Sequence, residues 1–183
     1  MENIENTGRE FDDIIRTCKS VFLAKMRDYG SSWRVLRPSS LTDQIYIKAN
    51  RIRSIDAKGT QKINEGIKPE YIGIINYSVI ALIQIEFDPG KDFEVEIEEC
   101  ERLYDKYISI AKELMLDKNH DYGEAWRNMR LSSLTDIILM KLKRIKQIED
   151  NSGKTFVSEG VDSNYYDIIN YSVFALIKIV NSE

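Results

Sequence analysis

The chain has 183 residues, 43% of them hydrophobic and 31% charged, enough apolar material for a buried core. Its 26 basic and 30 acidic residues leave a net charge of −4. That balance gives no broad nucleic-acid-binding surface, so any anion site must be a local cluster of Lys and Arg.

Two cysteines, Cys18 and Cys100, are too few for a disulfide framework or a Cys-based metal site, and His120 is the single histidine. The opening segment, Met1-Glu2-Asn3-Ile4-Glu5, is acidic and polar and carries no export signature. No apolar run reaches membrane-spanning length. These features predict a soluble, reduced, cytoplasmic protein with no membrane partner.

The first predicted helix covers about 9–27, with Phe11, Ile14, Ile15, Cys18, Val21 and Phe22 at helical spacing. Asp28-Tyr29-Gly30 ends it, glycine being the natural left-handed terminator. The second helix is predicted to start at Ser40, with Asp43 completing a capping box, and to run to about 56. A polar loop precedes a strongly apolar third helix over about 69–87.

The pattern then recurs. Trp33-Arg34-Val35-Leu36-Arg37-Pro38-Ser39-Ser40-Leu41-Thr42-Asp43 matches Trp126-Arg127-Asn128-Met129-Arg130-Leu131-Ser132-Ser133-Leu134-Thr135-Asp136, except at 35, 36 and 38. The offset is about 93 residues, the signature of an internal duplication. Lys25, Asp28 and Tyr29 return as Lys118, Asp121 and Tyr122, and Lys48 and Arg51 as Lys141 and Arg144. Asn76 and Tyr77 return as Asn170 and Tyr171, with the offset larger by one. Helices are therefore predicted again over about 97–119, from Ser133 to about 149, and over about 164–181. The expected fold is all-α: two tandem three-helix repeats, 1–88 and 96–183 with a linker at 89–95, packed as a pseudo-twofold bundle through their third helices.

Apolar positions drift between the copies, whereas the Asp, Trp-Arg, Lys and Arg positions persist. Lys141 and Arg144 lie about 60° apart on a helix, in the sector of Ile137 and Ile148. A basic pair bordering the core needs anionic partners. Protein carboxylates such as Asp121 and Asp167 would make a buried ion-pair network; a bound phosphate would make a ligand site. Arg34 with Arg37, and Arg127 with Arg130, have the forked donors that recognise phosphate. Tyr29 with Trp33, and Tyr122 with Trp126, can stack on a base; equally, the tryptophans can plug a helix junction. Asp28 and Asp121 oppose a helix dipole and require a partner, expected to be Lys or Arg of the second helix. On the third helix Asp167 and Asn170 lie one turn apart, but copy one has Gly73 at the place of Asp167.

The order Lys-x-x-Asp-Tyr-Gly-x-x-Trp, Lys-x-x-Arg-Ile, Asp-x-x-Asn-Tyr resembles the nucleotide modification associated domain family, in both copies. Carried over, the family positions are Lys118, Asp121, Tyr122, Trp126, Lys141, Arg144, Asp167, Asn170 and Tyr171. In copy one they are Lys25, Asp28, Tyr29, Trp33, Lys48, Arg51, Asn76 and Tyr77, with Gly73 departing from the pattern. The resemblance implies a nucleotide or other phosphorylated small molecule as partner. Phosphates would lie on Lys141, Arg144, Arg127 and Arg130, the base on Tyr122 and Trp126, and Asp121 and Asp167 would be catalytic or orienting. A homodimer is compatible with such a bundle.

A remoter similarity is to all-α nucleotide pyrophosphohydrolases, which implies Mg²⁺ as cofactor. Here the second helix carries Lys and Arg where those enzymes carry acids. The competing expectation is a non-enzymatic interaction module whose repeated charges pair internally.

Overall fold

A computed structural model describes residues 2–60, 66–87, 94–154 and 160–182, with side chains from Asn6 onward. The expected linker over 89–95 lies outside the described residues except for 94 and 95. Within them the chain forms six α-helices, α1 (Glu2–Tyr29), α2 (Pro38–Lys58), α3 (Lys68–Glu86), α4 (Ile97–Tyr122), α5 (Leu131–Asp150) and α6 (Val161–Val180), and no strand. Two short 3-10 turns, Ser32–Val35 and Ala125–Asn128, carry the tryptophans; periodicity did not reveal them.

Local chemistry sets the boundaries. Gly30 and Gly123 take φ of 59° and 60°, and their amides bond back to Met26 and Asn119, both at 2.9 Å. A side chain at either position would be strained there. The second helix of each copy begins earlier than expected. Arg37 and Arg130 are the extended N-cap residues, and the Ser40 and Ser133 amides already bond to their carbonyls at 2.9 and 3.1 Å. The serines therefore lie inside the first turn and cannot cap it. Pro38, with its preset φ and missing N–H, suits the first helical position. Helix α1 also starts seven residues before the expected position.

Each helix packs against its counterpart in the other copy: α3 on α6, α2 on α5, α1 on α4. The side chains repeat that symmetry. Tyr71 Oη meets Thr135 Oγ1 at 2.7 Å, and Tyr165 Oη meets Thr42 Oγ1 at 2.9 Å. Lys19 pairs with Asp105 at 2.8 Å, and Lys112 with Asp12 at 2.7 Å. One continuous core serves both copies, with α3 and α6 buried along most of their length. Both cysteines are free and buried; burial pushes the Cys18 thiol up to about 12 and the Cys100 thiol to about 11. No helix among the described residues is long and apolar enough to cross a membrane.

Candidate functional site

In copy two the repeated charges converge. Asp167, on the first half of α6, accepts a hydrogen bond from Lys118 Nζ of α4 at 2.6 Å on one oxygen. On the other it accepts from Lys141 Nζ of α5 at 2.5 Å. Asp167 and Lys141 are only 11% and 14% exposed, and Lys118 is 53% exposed. Burial alone would raise the Asp167 pKa, but the two ammonium groups hold it below the ordinary carboxylate value. Beside this cluster Trp126 lies flat on Phe174, centroids 4.2 Å apart and 4° between planes, and Tyr171 meets Phe174 edge-on.

Copy one is built differently at the same positions. Gly73 stands for Asp167, and Ile80 for Phe174. The anion has moved one turn back along α3, to Glu70, which holds Arg51 and lies 3.5 Å from Lys48 Nζ. A cavity of about 640 Å³ opens here between the C-terminal part of α1, the first 3-10 turn, Lys48 of α2 and the first half of α3. Trp33, Met26, Ile80 and Tyr77 give it apolar walls, and Lys25, Lys48, Asn76 and Glu70 are its polar lining. Lys25 is exposed and has no ion-pair partner among the described residues. Lys48 Nζ also lies over the Tyr77 ring at 5.9 Å.

The remaining expected site residues divide. Trp33 is buried at the cavity with its Nε1 on Met26 Sδ at 3.4 Å, and Tyr29 is 70% exposed at the rim. The protein itself supplies the partners of the two turn arginines. Arg34 is buried, bonded to Gln84 and stacked over Phe87. Arg127 meets Glu10 at 2.6 Å and Glu124 at 2.8 Å, and lies over Trp126. Arg37, Arg130 and Arg144 are exposed, as is Asp28. Asp121 does not meet the second helix as expected: it is exposed, with His120 Nδ1 at 3.2 Å, because the last turn of α4 points it to solvent. Tyr122 is 73% exposed.

Asn76 and Asn170 are buried amides that tie the third helix of each copy to the first. Each donates to a backbone oxygen, of Cys18 and Ala111 respectively, at 3.0 Å. Tyr104 Oη donates to Asn76 Oδ1 at 2.9 Å. The counterpart of Tyr104 is Phe11, which has no hydroxyl, and Asn170 Oδ1 is buried with no hydrogen-bond partner among the described residues.

Glu70, Glu10, Glu124 and Phe174 escaped the sequence reading because none persists between copies. The one available signal was Glu70, one helical turn before Gly73. Among the described residues no group of three or more His, Cys, Asp or Glu side chains is placed to hold a metal ion.

A search among curated proteins and one among solved structures each found no match. A family model, nucleotide modification associated domain 1, matches twice, over residues 25–85 and 118–179. These two segments hold most of the residues lining the copy-one cavity and the whole Asp167 cluster of copy two, and span most of the chain. The chain thus belongs to the nucleotide modification associated domain 1 family and carries that domain in two tandem copies.

Proposed function

We propose that the copy-one cavity binds a nucleotide or a closely related phosphorylated small molecule. The observation that carries this reading is the pairing of an apolar, aromatic-walled cavity at Trp33 and Tyr77 with two lysines, Lys25 and Lys48, of which Lys25 has no anion among the described residues. Apolar walls with a few convergent polar groups are the usual make-up of a small-molecule site. The aromatic rings suit a base, and the ammonium groups suit a phosphate. The family description points the same way. The copy-two residues Asp121 and Asp167 have no part in this reading, since neither lines the cavity.

A second reading is an interaction module. It is favoured by Arg34, Arg127 and Lys141, whose charged groups already bond to protein side chains.

A thermal-shift screen against nucleoside mono-, di- and triphosphates, with and without Mg²⁺, separates the two. Ligand at about 100 times its Kd adds about 2.7 kcal/mol, a rise of roughly 5–10 °C for a domain of this size. The shift is expected to vanish in Lys25→Ala and to persist in Lys118→Ala. A flat screen sinks the binding reading, and a shift that survives Lys25→Ala moves the site away from this cavity.

A further inference from the structure

The two copies are one scaffold in two states of occupancy. In copy two each oxygen of the Asp167 carboxylate takes one lysine, Lys118 at 2.6 Å and Lys141 at 2.5 Å. The equivalents of those lysines, Lys25 and Lys48, line the cavity of copy one, and the equivalent of the aspartate is Gly73. Without that side chain Gly73 lines the cavity and Lys48 lies against it. A Cβ built on Gly73 would come within 2.8 Å of Lys48 Cδ and Cε, so any larger residue displaces the lysine from its present position. A second difference acts in the same direction: Phe174 covers Trp126 in copy two, whereas the smaller Ile80 leaves Trp33 lining open space.

We propose that the copy-one cavity takes a phosphate monoester, with its single phosphate between Lys25 and Lys48, where copy two seats the Asp167 carboxylate. This deepens the nucleotide reading above and rests on it. An internal carboxylate bridging two lysines is a template for an anion with two oxygens to offer, and a phosphate offers three. The charge balance selects the monoester. A phosphate carrying close to two negative charges matches the two positive charges left when Glu70, which meets both Arg51 and Lys48, is set against Lys25, Lys48 and Arg51. A di- or triphosphate would bring further negative charge beside the Glu70 carboxylate. The described residues offer no cluster of acidic ligands for a divalent cation to offset it. With Trp33 and Tyr77 in the walls, the chemical class is a nucleoside monophosphate.

The test is calorimetric titration of the full chain with a nucleoside and with its mono-, di- and triphosphates. A double variant, Glu70→Asn with Gly73→Asp, gives copy one the charges of copy two, where Asn164 and Asp167 stand. The wild type is expected to prefer the monophosphate over the nucleoside by about tenfold or more, as one charge-assisted contact provides. The double variant is expected to lose that preference. Lys25→Gln removes an exposed ammonium with no ion-pair partner among the described residues and should lose it too, which keeps the test decisive if the double variant does not fold. A preference that survives in Lys25→Gln and in the folded double variant overturns the placement and leaves the binding reading standing. Di- or triphosphates that bind as tightly as the monophosphate overturn the monoester class. If neither nucleoside nor nucleotide binds the wild type, the binding reading itself fails, and the placement with it.

Discussion

At the scale of single residues, Asp167 shows how one carboxylate can decide what a repeated basic pair does. Lys118 and Lys141 persist as Lys25 and Lys48, yet in copy two both meet Asp167, whereas in copy one both line a cavity and Lys48 lies 3.5 Å from Glu70. Removing the carboxylate strands Lys141, which is largely buried. We expect Asp167→Asn to cost about 2–3 kcal/mol, less than the 3–5 of a fully buried pair because Lys118 is half exposed. Chemical denaturation at pH 7 measures it; a loss below about 0.5 kcal/mol would remove the cluster from the list of structural devices. The same group carries a pH dependence. Its folded pKa lies below the unfolded value, so its contribution is fully present above the unfolded carboxyl pKa of about 3.9 and is lost as pH falls through the folded one. As pH falls below about 4 and on through the folded pKa, the wild type should therefore converge in stability on Asp167→Asn.

The persistence of Lys, Arg and Asp in both copies was readable, but the partner of each was not. A salt bridge depends on which turn of a neighbouring helix supplies the acid, and Glu70 and Asp167 lie one turn apart along equivalent helices.

At the scale of elements, helical periodicity and the Asp-Tyr-Gly stops located all six helices, because amphipathic spacing and left-handed glycines are local properties. The starts of α2 and α5 were misplaced by the Ser-x-x-Asp pattern, since two similar serines can sit at a cap or within a first turn. Only the hydrogen bonds of their amides tell which. How helices are tied together was also hidden. Tyr104 of α4 reaches Asn76 of α3, while Phe11 leaves the matching Asn170 Oδ1 unpaired. Tyr104→Phe should therefore destabilise the fold by about 1–2 kcal/mol, the cost of orphaning a buried acceptor. A urea midpoint unchanged from wild type would show that Asn76 finds another partner.

At the scale of the whole molecule, the two repeats interlock. Every helix packs on its counterpart, and the Tyr71–Thr135 and Thr42–Tyr165 hydrogen bonds cross between copies. With one shared core, neither copy buries its third helix alone, so unfolding should be a single cooperative transition. The two tryptophans, one per copy, make this measurable. In Trp33→Phe and in Trp126→Phe, the fluorescence of the remaining tryptophan should fall together with far-UV circular dichroism. Separated midpoints in either variant would mean that the repeats unfold as independent units.

What the sequence by itself determined is the duplication, the all-helical class, the family and the set of persistent charged positions. Each follows from composition, spacing and identity along the chain. The tertiary structure alone decided what meets the persistent lysines in each copy. That outcome depends on non-local volume and charge: Gly73 and Ile80 leave space beside Lys48 and Trp33, whereas Asp167 and Phe174 fill the equivalent positions beside Lys141 and Trp126. A missing aspartate reads in sequence as a lost function. In three dimensions it is a space with two lysines on its wall.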